Sequence, residues 1–97
     1  MPKGYWIANN VVNNAEAYEV YKARNMEILP QYGAKFLVRG GEQTIAEGVS
    51  YPRTIVIEFP DYATALAAYN SPEYQENIQT RLPHSESRLV IVEGYGE

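Results

Sequence analysis

Cysteine is absent from these 97 residues, which excludes a disulfide framework, a thiol nucleophile and any thiolate metal site. Histidine occurs once, at His84, so there is no second imidazole to build a haem or metal site with, and Arg81, His84 and Glu86 are a poor match to ligand spacing. No apolar run approaches the roughly 20 residues needed to cross a bilayer, and Met1-Pro2-Lys3-Gly4-Tyr5-Trp6 lacks the apolar stretch and cleavage site of a secretion signal. Basic residues are few: eight Lys and Arg against twelve Asp and Glu leave a net charge of −4, with no basic block to follow a nucleic-acid backbone. No Gly-x-Ser-x-Gly elbow supports a serine triad, and Gly40-Gly41 and Gly94-Tyr95-Gly96 are too short for dinucleotide fingerprints. The expectation is a cytoplasmic protein with no cofactor, no metal, and neither nucleic acid nor membrane as partner.

What the chain has in quantity is tyrosine, nine residues of it, and apolar patterning. Tyr5 to Val12 mixes aromatic and β-branched residues before Asn13-Asn14, which suits a strand ending where an asparagine caps a helix. From Ala15 to Tyr32 the larger apolar residues, Tyr18, Tyr21, Ile28, Leu29 and Tyr32, recur on one side of a 3.6-residue helix, with Pro30 and Gly33 set to fray, kink and end it. Ala34 to Arg39 reads as a second strand. A polar connection follows, with Thr44 to Glu47 as a brief extended piece before Gly48. Arg53 to Phe59 is the most apolar strand. Asp61 then caps a short helix over Tyr62, Ala65, Leu66 and Tyr69, and Ser71-Pro72-Glu73 starts another that runs to about Arg81. Leu89 to Glu93 reads as the last strand.

The order βαββαβ is the ferredoxin-like arrangement, an α+β fold with a four-stranded antiparallel sheet and helices on one face, filling residues 1–97 as a single domain. Right-handed crossovers put strands one and three in the centre. In strand three Ile55, Ile57 and Phe59 face one way and Thr54, Val56 and Glu58 the other, and neither set is polar enough for water. A second copy laid sheet to sheet would cover the side without helices, so a homodimer is expected. The alternative is a monomer with one semi-polar face.

Five segments together carry a family likeness: Gly4-Tyr5-Trp6-Ile7, Tyr32 to Gly41, Val56-Ile57-Glu58-Phe59-Pro60, Ser71-Pro72-Glu73-Tyr74-Gln75 and Val90-Ile91-Val92-Glu93-Gly94. From Lys3 to Tyr95 the chain resembles domain-of-unknown-function family 1330. The resemblance implies a dimeric α/β barrel in which two ferredoxin-like subunits pack sheet to sheet. It implies no activity, because that superfamily includes cofactor-free monooxygenases, lactone isomerases, haem-using enzymes and stress-associated binding proteins. Family members often carry tryptophan before the tyrosine that ends helix two, where this chain has Ala68-Tyr69, implying a wider pocket there.

Glu58 is the chemical anomaly, a carboxylate in mid-strand: either a proton acceptor or one half of a structural pair with Arg39 or Arg53. Arg39, directly before Gly40-Gly41, is the candidate anchor for a carboxylate or enolate, against an ordinary salt bridge. Asn25 puts an amide beside the inward stripe of helix one, to orient a ligand carbonyl or satisfy backbone. Trp6 and Tyr69 are candidate walls for a flat ligand, against plain core packing. His84 suits acid–base work near neutral pH, though a lone loop histidine is commonly just solvated. These residues predict a small homodimer that binds an apolar or aromatic organic acid or carbonyl compound between helices and sheet. Two alternatives stand beside it: a noncatalytic interaction or stress-response dimer with no small-molecule site, and a cofactor-free monooxygenase or isomerase using Glu58 or His84.

Overall fold

A computed structural model describes residues 2–96. The elements run β1 (Gly4–Val12), α1 (Ala15–Ile28), β2 (Lys35–Arg39), β3 (Arg53–Phe59), α2 (Tyr62–Asn70), α3 (Pro72–Arg81) and β4 (Ser85–Glu93). Each helix starts where a polar side chain takes up a free backbone N–H. Asn14 Oδ1 accepts from Ala17 N at 3.2 Å, and Asp61 Oδ1 from Thr64 N at 2.7 Å. Hydrogen bonding from Thr64 holds the Asp61 carboxyl below the usual carboxylate range. Ser71 serves two helices at once: its hydroxyl donates to Ala68 O at 2.9 Å, closing α2, and accepts from Tyr74 N at 3.2 Å, opening α3. No helix among the described residues is long and apolar enough to cross a membrane.

The strands form one antiparallel sheet in the order β2-β3-β1-β4, which is the ferredoxin-like topology expected from the element order. Three boundaries differ from the sequence reading. The first helix stops at Ile28, and Leu29–Tyr32 tightens into a 3-10 turn that Gly33, at φ 76°, closes; Pro30 has no N–H to continue an α-helix. Strand β4 begins at Ser85 rather than Leu89, because β1 offers it pairing partners as far as Val12, opposite Ser85. Thr44 to Glu47 lies outside any strand, in a connection tied down by Gly40 N to Thr54 O at 2.9 Å and by Gln43, which meets Tyr51 O at 3.0 Å and the Thr54 hydroxyl at 2.5 Å.

All three helices cover one face. Trp6, Ile55, Ile57 and Phe59 point into it and meet Tyr18, Tyr21, Ile28, Ala65, Ala68, Tyr74 and Ile78. Leu29, Phe59, Ala65 and Ala68 are wholly buried, so the layer is dry at the β3 end. The other face has no cover among the described residues. It presents Tyr5, Val56, Ile7, Val38, Val90 and Val92, the last four exposed, with Val90 at 58%.

Candidate functional site

Side chains on the helix-facing side fall in cross-strand rows, and the rows change character along the sheet. Phe36, Ile57, Trp6 and Ile91 make an apolar row; Arg39, Ile55, Ala8 and Leu89 the next; Arg53, Asn10 and Ser87 a third. Ala8 is short where Trp6 beside it is large, and a cavity opens over the second and third rows. It encloses about 60 Å³, room for about four to six waters. Tyr18, Tyr21, Lys22 and Asn25 of α1 and Tyr74 and Arg81 of α3 form its other wall.

The wall is wired by hydrogen bonds between buried groups. The Tyr21 and Tyr74 hydroxyls lie 2.6 Å apart. Asn77 Nδ2 donates to Asn25 Oδ1 at 2.9 Å and to Tyr21 O at 3.1 Å, locking α1 to α3. The Tyr18 hydroxyl accepts from Asn10 Nδ2 at 2.8 Å and from Arg53 Nη1 at 3.2 Å, while Arg81 Nη1 donates to the Ser87 hydroxyl. Burial pushes both the Tyr21 and Tyr74 phenols up from their ordinary pKa. Burial opposes the charge on Arg81, but the adjacent Tyr21 and Tyr74 oxygens outweigh it and the guanidinium stays ionised, its pKa raised.

Charge is what distinguishes this cavity. Lys22, Arg39, Arg53 and Arg81 line it, half of the chain's eight basic residues, and no acidic residue among the described residues does. Lys22 pairs with Glu19 at 3.1 Å on the rim. The three arginines have no carboxylate partner among the described residues and rest on aromatic faces instead, Arg39 over Phe36 at 5.2 Å, Arg53 over Tyr18 at 5.5 Å and Arg81 over Tyr21 at 5.5 Å. Gly40 makes room for one of them: at φ 73° it accepts a left-handed turn, and a Cβ there would lie 2.6 Å from Arg53 Nε.

Arg39 reaches the cavity through an irregularity. Phe36 pairs with Ile57 and Val38 with Val56, so Leu37 is an extra residue, a bulge that inverts the alternation beyond it. In a regular strand of the same sequence Arg39 would share a face with Lys35. With the bulge, Arg39 stands opposite Ile55, on the helix side.

Of the residues singled out in the sequence, Arg39, Asn25 and Trp6 are brought together here. Trp6 is pinned by its indole N–H to Ala65 O at 2.9 Å. Tyr69 stands behind Trp6 at 5.9 Å between ring centroids and is outside the lining, as is the wholly buried Ala68. Glu58 is half-buried on the opposite, uncovered face, where its register partners are Tyr5 and Lys35 and the Tyr5 hydroxyl donates to it at 3.4 Å; neither Arg39 nor Arg53 pairs with it. His84 closes a 3-10 turn between α3 and β4, its carbonyl accepting from Asn13 N at 2.7 Å, away from the cavity. Asn10, Arg81 and Ser87 were not singled out as binding groups. Two of the three had signals in the sequence: Asn10 continues the inward series Trp6-x-Ala8, and Arg81 follows Tyr74 by seven residues on one helix face.

The family described as a domain of unknown function, DUF1330, matches residues 3–95. A comparison with curated proteins finds no match. Among solved structures, a protein of unknown function from Rhodopseudomonas palustris superposes with a TM-score of 0.76 at 17% identity, covering 99% of this chain and 85% of that one. A dimeric ferredoxin-like protein of unknown function from Jannaschia sp. CCS1 gives 0.73 at 14% identity, over 93% and 97% of the two chains. SnoaB, a cofactor-independent oxygenase from Streptomyces nogalater, gives 0.64 at 12% identity, over 100% and 97%. At these identities the likeness establishes the ferredoxin-like fold.

Proposed function

The chain belongs to the DUF1330 family, and from that premise we propose that it is a homodimer whose subunits each bind a small organic acid, as its anion, between α1, α3 and the sheet. The observation that carries this reading is the gathering of four cations, and no carboxylate among the described residues, around one cavity of an otherwise acidic protein. Guanidinium groups without a counter-charge, Arg81 buried, Arg53 half-buried and Arg39 exposed, favour a bound carboxylate or enolate, which they can meet with two parallel hydrogen bonds. The same field lowers the pKa of a bound acid or enol, so it is retained ionised. Trp6, Ile55, Ile57 and Leu89 supply the apolar walls for the rest of the ligand.

No carboxylate or imidazole among the described residues lines the cavity, so the site is equipped to bind and to stabilise an anion rather than to abstract a proton with a side chain of its own. In this reading Glu58 and His84 have no part in chemistry, and Glu58 belongs to the face where two copies meet. Support for that meeting is the row of uncovered apolar residues, Ile7, Val38, Val90 and Val92, and the description of a structural neighbour as dimeric.

Calorimetric titration with small aliphatic and aromatic carboxylates tests the proposal. One site per chain is expected, weakening with salt, with affinity at least about tenfold lower in Arg39→Ala. Equal binding of the neutral amides, or no binding of any carboxylate at millimolar concentration, would refute it.

A further inference from the structure

The cavity gathers more positive charge than a single carboxylate can offset. Lys22 is already met by Glu19, but Arg39, Arg53 and Arg81 have no carboxylate partner among the described residues. An unpaired charge withdrawn from water is costly, and a ligand with one negative charge would leave two of these three without a counter-ion. A second negative charge on the ligand removes most of that deficit.

The three guanidiniums are also spread around the wall. Each rests on a different ring: Arg39 over Phe36 of β2 at 5.2 Å, and Arg53 and Arg81 over the α1 residues Tyr18 and Tyr21, both at 5.5 Å. The Tyr18 and Tyr21 rings are 5.3 Å apart between centroids, so Arg53, Tyr18, Tyr21 and Arg81 follow one another in contact. Exposure falls through the set, with Arg39 open to solvent, Arg53 half-buried and Arg81 8% exposed. Positive charge therefore runs from the solvent side inward, on three elements, instead of converging on one point. The holds leave donors to spare: of the five N–H groups of a guanidinium, Arg53 commits one to the Tyr18 hydroxyl at 3.2 Å. The about four to six waters for which the cavity has room, at about 30 Å³ of liquid each, fill the volume of an acid of about four or five carbons.

We infer that the ligand is a short dicarboxylate, bound with one carboxylate on the solvent side against Arg39 and the other deeper, in the field of Arg53 and Arg81. The inference rests on the anion-binding role proposed above and narrows its ligand class. Two separated charges on the ligand then match two depths of charge on the protein, which one carboxylate or one compact dianion cannot do.

The test is a matched series titrated calorimetrically into the whole protein at pH 8. Succinate and glutarate are compared with butyrate and pentanoate, in which methyl replaces one carboxylate, with their half-amides succinamate and glutaramate, and with inorganic phosphate. The expected result is that the better diacid binds at least about tenfold more tightly than its methyl and half-amide counterparts, and that phosphate does not match it. In Arg39→Gln, a change at an exposed position of the edge strand, the ratio of diacid to monoacid affinity falls to within about threefold of unity, and Arg39→Lys, which keeps the charge, restores at least about fivefold. Diacids that bind no more tightly than the monoacids, or a preference that survives Arg39→Gln, overturn this inference and leave the anion-binding role standing. Phosphate binding as tightly as the diacids also overturns it, since the cations would then meet at one centre. Failure of every carboxylate to bind overturns both.

Discussion

Alkaline pH puts the Tyr21–Tyr74 pair under direct strain. The two hydroxyls meet at 2.6 Å inside the protein, and burial holds both phenols protonated beyond their ordinary range. In the unfolded chain each loses its proton near pH 10. Above that value the unfolded state binds fewer protons than the native state, so stability falls as pH rises. The slope is about 1.4 kcal/mol per pH unit for each phenol still protonated in the fold. Tyr74 alone then removes about 2 kcal/mol between pH 10 and 11.5, and Tyr21 adds as much until its own folded-state pKa is passed. Against a total of roughly 5–15 kcal/mol, this is a large fraction. Urea midpoints by far-UV circular dichroism at pH 8, 10, 11 and 11.5, read beside phenolate absorbance, measure it. At least two of the nine tyrosines should ionise only as the fold is lost. The Tyr21→Phe/Tyr74→Phe double variant should lose that part of the pH slope. At pH 8 it should cost less than the sum of the single variants, each of which strands one hydroxyl at about 1–2 kcal/mol. Ionisation of all nine tyrosines with the dichroism intact, or an unchanged urea midpoint at pH 11.5, would refute the reasoning.

Two further outcomes follow from geometry already described. Gly40→Ala meets both a positive φ and the Arg53 side chain at 2.6 Å, so it should lose about 1–2 kcal/mol and weaken carboxylate binding several-fold, whereas Gly41→Ala, with no neighbour within 4 Å, should change neither. Val90→Lys, at an exposed position on the uncovered face, should turn a dimer into a monomer in sedimentation velocity, while Val49→Lys, 87% exposed in the β2–β3 connection, should not. A Val90→Lys protein that sediments like wild type would remove the uncovered face from the assembly.

The βαββαβ order was legible because its signals are local. Asn14, Asp61 and Ser71 each sit one residue before a helix, and the alternation of β3 assigns Ile55, Ile57 and Phe59 to one face without ambiguity. The α1 stripe Tyr18, Tyr21, Asn25 and Ile28 was readable for the same reason, and it supplies much of the cavity wall. The start of β4 was not. Ser85-Glu86-Ser87-Arg88 has the composition of a loop, and only its pairing with β1, which is remote in sequence, makes it a strand. Ser87 was hidden with it. Glu58 was visible as an oddity in its strand, but which face the helices cover depends on packing of the whole chain, and they cover the other one. Arg39 was named for its charge and its neighbouring glycines, and nothing in the sequence marked the bulge that aims it.

That single inserted residue gears two surfaces to one another. Pairing Leu37 regularly with Val56 would turn Arg39 outward beside Lys35 and Val38 towards the cavity, exchanging a cation for an aliphatic group on one side and the reverse on the other. The polarity of the cavity and the stickiness of the outer wall are therefore set together, by the register of an edge strand rather than by its composition. Deleting Leu37 would leave Val38 opposite Val56 and Arg39 opposite Ile55, so a regular strand one residue shorter keeps both surfaces, whereas closing the bulge at full length trades one for the other.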